Sequence, residues 1–159
     1  MNLQDRYDKA DRKVIEDIAK YGWCDMSIFP TRGDPPESMP FNYTVGLAEL
    51  NHPDLLLMGM SNDQAHHVMH SAVAYIEKGN RFTPDTFSDQ VLEGLRVAII
   101  EIFDPLNDDY QMSMVNRLYG EVHGLQIIWP DTDDRFPWEP DFEEKFKGRQ
   151  IMLGPWRGV

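Results

Sequence analysis

Apolar positions in the first part of the chain recur at three- and four-residue steps: Leu3, Tyr7, Ala10, Val14, Ile18 and Tyr21. That period predicts an amphipathic helix over residues 3–21, with Asp5–Lys9, Asp8–Arg12 and Glu16–Lys20 as favourable i,i+4 charge pairs. Gly22 stops it. Trp23 to Phe29 then reads as a strand ending at Pro30, and the proline-rich residues 30–40 as an exposed loop. Phe41 to Leu47 is a second strand, and Leu55 to Met60 a third after the turn Asn51-His52-Pro53. Ser61, with Gln64 three residues on, has capping-box spacing and opens a helix whose apolar face is Ala65, Val68, Met69, Ala72, Val73 and Ile76. Gly79 follows its end.

Periodicity is weaker beyond that point. Residues 80–94 read as irregular, or as a short helix around Phe87 to Leu92. Leu95 to Phe103 is the strongest strand, apolar on both faces for most of its length, which predicts a central place in the sheet. A helix is expected near residues 108–119, before Gly120, then a strand from Leu125 to Trp129 and a short last one from Gln150 to Leu153. The order α-β-β-β-α-β-α-β predicts an α+β fold. It is one domain over residues 1–159, a mainly antiparallel, twisted sheet of five to six strands packed by two to three helices.

Composition changes this picture little, and charge more. The chain has 159 residues and one cysteine, so no disulfide framework within the chain supports the core. Cys24, beside Trp23 in a strand, reads as a small buried hydrophobe. No apolar run approaches the ~20 residues of a membrane span, and the first residues have no signal-like apolar stretch, which predicts a cytoplasmic protein. The net charge of −12 is uneven: residues 85–109 hold seven acids and one base, residues 131–147 seven acids and three bases. Without a Lys/Arg cluster, nucleic-acid binding is not expected. A protein partner with a basic surface fits the acidic blocks.

The chain lacks a Gly-x-Ser-x-Gly elbow, a P-loop, a Gly-x-Gly-x-x-Gly turn and a Cys-x-x-Cys pair. His66 and His70 share one side of a helix, as a zinc-binding His-x-x-x-His pair does. His67 stands where the zincin pattern needs Glu, so the three histidines read as boundary or solvent residues, with no metal and no cofactor expected. Asp131-Thr132-Asp133-Asp134 lacks the glycine of a calcium loop, Phe136 standing at loop position six, and reads as an acidic turn. Tyr43, His52 and Asp54 fall near one sheet end, where they could form a polar pocket or simply hydrogen-bond locally and fix the hairpin. Trp129-Pro130-Asp131 and Arg135-Phe136-Pro137-Trp138 flank the acidic turn. Trp129, ending an apolar strand, is expected in the core; Asp131, Arg135 and Trp138 are the expected exposed recognition residues.

Tyr21-Gly22-Trp23, Tyr43-Thr44-Val45-Gly46-Leu47, His52-Pro53-Asp54-Leu55, Leu92-Glu93-Gly94, Leu125 to Asp131, Arg135 to Trp138 and Gln150 to Gly154 occur in that order. This set resembles the family called "domain of unknown function 4262", of bacteria and their phages, over about residues 14–154. Two departures fall in loops: Asp134 before Arg135, where a small residue is expected, and the insertion at residues 30–40. The resemblance implies no activity and carries no catalytic residue. The first expectation is therefore an accessory protein, not an enzyme, that binds another protein through an acidic, aromatic-rich surface, with Tyr43, His52, Asp131, Arg135 and Trp138 as binding residues. The alternative is a small-molecule site, nucleotide- or flavin-like or an unusual enzyme, lined by Tyr43, His52, Trp129 and Arg135.

Overall fold

A computed structural model describes residues 3–34, 39–103 and 112–158. Its centre is one six-stranded sheet in the order β1-β2-β3-β6-β5-β4. The strands are β1 (Cys24–Ile28), β2 (Phe41–Val45), β3 (Asp54–Met58), β4 (Thr86–Leu92), β5 (Leu95–Glu101) and β6 (Gly124–Ile128). All neighbours are antiparallel except β3 and β6, which run parallel from the pair Asp54–Gly124 to Leu57–Ile127. Among the described residues, the α-helices are α1 (Leu3–Tyr21), α2 (Asn62–Glu77) and α3 (Ser113–Tyr119). The α+β class and mainly antiparallel sheet expected from sequence are the observed ones.

Period-two alternation sorts the strand side chains onto two faces. Leu55, Leu57, Val97, Ile99, Leu125, Ile127 and Trp129 face α2, whose Ala65, Val68, Met69, Ala72, Val73 and Ile76 complete that core. The apolar face of α2 is the one its sequence spacing dictates. Ser61 caps the helix by accepting from the Gln64 N–H at 3.3 Å, and such a cap contributes about 1 kcal/mol. Tyr43, Val45, Leu56 and Met58 face the other way, against Val14 of α1 and Met114 and Val115 of α3. Ala98, Ile100 and Ile128 share that second side with Phe136, Trp138 and Trp156. With both faces covered, every residue of β3 and β6 is buried, as a parallel pair requires.

Three readings of the chain need correction. Residues 86–92 form an edge strand, not an irregular or helical stretch; Glu93-Gly94 joins it to β5, with Leu92 opposite Leu95 and Gly94 at φ 74°. Most of that strand is exposed, so its polar positions mask the β pattern. Second, β5 lies one strand in from the edge. Its two apolar faces report cover on both sides, not a central place, which belongs to β3 and β6. Third, Gln150 to Leu153 is no strand. Its backbone docks on the Gln126 side chain, which donates to Ile151 O at 2.7 Å and accepts from Leu153 N–H at 2.8 Å. The helix expected near 108–119 begins at Ser113; the start of that expectation lies outside the described residues.

The C-terminal segment crosses the end of β3 so closely that a Cβ on Gly59 would sit 1.8 Å from Arg149 O. Gly59 also has φ +85°, a left-handed conformation that a side chain strains. Gly59→Ala is expected to lower unfolding stability by about 1–3 kcal/mol, read from urea denaturation midpoints, with Gly79→Ala, which meets nothing within 4 Å, costing less.

Candidate ligand-binding site

Asp54 opens β3 with its side chain almost wholly buried, 3% exposed. A carboxyl group there needs internal partners. Its Oδ1 accepts from the Thr44 hydroxyl at 2.8 Å and from the Leu47 N–H at 3.1 Å, while Thr44 Oγ1 accepts in turn from the Leu55 N–H at 2.9 Å. Gly46, at φ 108°, turns the chain so that Leu47 N–H points inward, and a 3₁₀ turn over Leu47–Leu50 follows. Burial pushes the Asp54 pKa up to about 7, outweighing the opposing hydrogen bonds from Thr44 and Leu47.

Asp54 lines a cavity of about 350 Å³ with Asn51, His52, Val115, Tyr119 and His123. The register explains the grouping. Asp54 pairs with Gly124 in the parallel ladder and its N–H donates to His123 O, so the start of β6 borders the start of β3. The end of α3 brings Tyr119, whose hydroxyl donates to Glu49 Oε1 at 3.3 Å. Glu121 stands at the rim, 3.2 Å from exposed His123. No Lys or Arg is among the lining residues.

His52 belongs to this cavity as a wall, with both ring nitrogens used. Its Nδ1–H donates to Pro53 O at 2.7 Å and its Nε2 accepts from the Phe82 N–H at 3.0 Å. Burial lowers its pKa, with nearby Arg81 acting in the same direction against the Pro53 bond. Local hydrogen bonding, one of its two sequence readings, describes its ring. Tyr43 lies elsewhere: its hydroxyl accepts from the Met114 N–H at 3.4 Å on the α1–α3 side of the sheet.

The aromatic-acidic segment is built as a staple. Asp131 is buried, 1% exposed, where an exposed position is expected from sequence. Its Oδ1 accepts from Asp133 and Arg135 N–H, each at 2.9 Å; its Oδ2 accepts from Glu143 N–H and Arg135 Nε, each at 3.0 Å. Burial works to raise its pKa, but the donated hydrogen bonds win and hold it below the ordinary carboxylate value. Arg135 is half-buried on Asp131 and also reaches Asp133 at 3.1 Å. Trp138 is half-buried too, stacked between Phe136 and Trp156 with centroids 5.1 and 4.7 Å apart. Trp129 is in the core as expected, its Nε1–H donating to Met58 O at 2.7 Å.

Tyr43, His52, Trp129 and Arg135 are thus not brought to one cavity. Trp129 and Asp131 line a smaller one, about 220 Å³, with Gly59, Gln64, Phe146 and Arg149, while His52 belongs to the Asp54 cavity. Tyr119, Glu121 and His123 are site residues that sequence reading misses. The parallel β3–β6 pairing places His123 beside Asp54, and the end of α3 brings Tyr119. Cys24 is a buried thiol with its pKa raised to about 11, chiefly by burial and then by Asp17, matching the inert hydrophobe expected.

The profile of the family described as Domain of unknown function (DUF4262) matches residues 17–143. No curated protein and no solved structure matches the chain. Among the described residues, no helix is long and apolar enough to cross a membrane.

Removal of the Asp131 carboxylate leaves buried N–H donors without partners. Asp131→Ala is expected to cost about 3 kcal/mol of unfolding stability, measured by chemical denaturation, with Asp133→Ala at the exposed end of the turn near neutral.

Proposed function

The chain belongs to the DUF4262 family, and we propose that it serves there as a small-molecule-binding domain whose site is the cavity over Asp54. One observation carries this reading: a nearly buried carboxyl group with a pKa near 7 lines a cavity of ligand size. Structural carboxylates are usually held ionised, as Asp131 is; Asp54 is poised between forms. Asp54, Tyr119, His123 and Asn51 offer hydrogen-bonding groups, and Ala48, Pro53 and Val115 the apolar part of the lining.

Charge selects the ligand class. With Asp54 and Glu121 among the lining residues, and neither Lys nor Arg, the cavity favours a neutral or cationic ligand over a nucleotide or flavin phosphate. A small amine suits it best, its ammonium group against Asp54 and its hydrocarbon body against Val115. The buried single thiol supports a reducing compartment such as the cytoplasm for this activity.

An acidic protein-binding face is the second reading. It is supported by Asp133, Asp141 and Glu144, which are exposed beside the aromatic staple, rather than by Asp131. A partner with a basic surface would meet those acids, with half-buried Arg135, paired to Asp133, and half-buried Trp138 in the same segment.

Screening a panel of small aliphatic amines and polyols by NMR on the full chain tests the first reading. Bound amines are expected to shift the amides of Asn51, Asp54, Tyr119 and His123. Ala48→Trp, at the exposed rim, is expected to block them. Because an ammonium ion favours ionised Asp54, amine affinity is expected to rise up to about tenfold per pH unit below pH 7 and to level off above it. Asp54→Asn should remove that dependence. Shifts clustered on Asp133, Asp141 and Glu144 with basic peptides, and none at the cavity with amines, would favour the second reading instead.

A further inference from the structure

Sequence spacing places His66 and His70 one turn apart on α2, and the fold adds a third donor that spacing cannot reveal. Asp25 of β1 points at them from the neighbouring strand: its Oδ2 lies 3.0 Å from His66 Nδ1. One ligand atom from each of the three residues falls within 4.8 Å of the others. We propose that Asp25, His66 and His70 bind a divalent transition-metal ion, zinc by the character of the donors, where α2 meets β1 and separately from the Asp54 cavity.

Two imidazoles and a carboxylate are a donor set that zinc takes readily, leaving a fourth position for water or a ligand. Bonds of ~2.0–2.2 Å to a tetrahedral ion put its ligands about 3.4 Å apart. The Asp25–His66 pair is already near that spacing. The widest pair, at no more than 4.8 Å, closes by rotating an exposed imidazole. The donors are also oriented by their surroundings, which an accidental surface cluster lacks. Asp25 Oδ1 accepts from Nδ2 of buried Asn42 at 3.3 Å, turning Oδ2 toward the histidines. Trp23 packs edge-on against the His70 ring with centroids 4.8 Å apart, and the two histidine rings lie 4.1 Å apart. Protonating both would set like charges against each other. His67 lies next in the chain but outside this donor set.

The test is titration of chelator-treated full-length protein with Zn²⁺, followed by competition with a chromophoric chelator, and with Co²⁺ followed by visible absorption. The wild type is expected to bind one ion per chain, to show the intense bands of four-coordinate cobalt, and to gain in Tm on loading. His66→Ala and His70→Ala, both at exposed positions, are expected to lose saturable binding and the Tm gain, while His67→Ala keeps both. Asn42→Ala is expected to weaken binding about 10- to 100-fold, with circular dichroism checking its fold. Absence of saturable one-to-one binding in the wild type overturns the proposal. So does equal binding in the His66→Ala/His70→Ala double variant, or an equal loss in His67→Ala.

Discussion

A carboxyl group buried at the first residue of β3 has to be satisfied by the protein itself, and that requirement shapes the region around it. Asp54 takes the Thr44 hydroxyl and the Leu47 N–H, and Thr44 passes a bond on to Leu55 N–H. Those bonds tie β2 to β3 across the turn, and Gly46 supplies the conformation that lets Leu47 turn inward. His52 closes the other side by joining Pro53 to Phe82, far along the chain. The resulting wall is cross-linked by hydrogen bonds, and the cavity beside it is lined by an ionisable group. Stability and ligand chemistry here depend on the same few atoms.

Side chains do the work of backbone pairing elsewhere as well. Gln126 takes both Ile151 O and Leu153 N–H, and Gln150 takes both Trp129 N–H and Trp129 O. Two buried amides thereby hold an irregular C-terminal segment against the face of the sheet, over strands whose backbone groups are already paired on both sides. Asp131 does the same for its own turn by accepting four hydrogen bonds. Leaving such groups unpaired costs on the order of 1–3 kcal/mol each, so the segment is fixed by polar satisfaction as much as by its tryptophans. The Phe136–Trp138–Trp156 stack then bridges to β4 through Phe87, with Arg96 over the Phe87 ring at 4.2 Å and paired to Asp134 at 2.7 Å.

How far the sequence speaks follows from whether a contact is local. Helices α1 and α2 are legible because their apolar spacing and caps are local, and the β1-β2-β3 meander because its turns are marked by Gly and Pro. The edge strand Thr86–Leu92 is hidden by its exposed polar residues, although Glu93-Gly94 marks the turn that ends it. The Trp-Pro segment is legible as structure, with Trp129 in the core, but Asp131 is internal because distant Glu143 N–H reaches it. His52 and Asp54 are two residues apart in sequence and share the cavity; His123 reaches it through the parallel β3–β6 ladder and Tyr119 from the end of α3. Asp25 is joined to His66 and His70 by packing of α2 over β1, a contact between residues 41 apart in sequence for the Asp25–His66 pair.

The protonation of Asp54 decides whether its cavity presents a neutral acid or a buried anion. The most direct measurement is the ¹³C carboxyl titration of Asp54 by NMR in the full chain. A midpoint near 7 is expected, against ~3.9 for an unperturbed aspartate. The folded state then holds the proton more tightly than the unfolded chain. Its stability should therefore fall as pH rises from about 4 to about 7, and Asp54→Asn should abolish that slope. A midpoint near 4 with no such slope would contradict the buried, poised carboxyl group on which the proposed site rests.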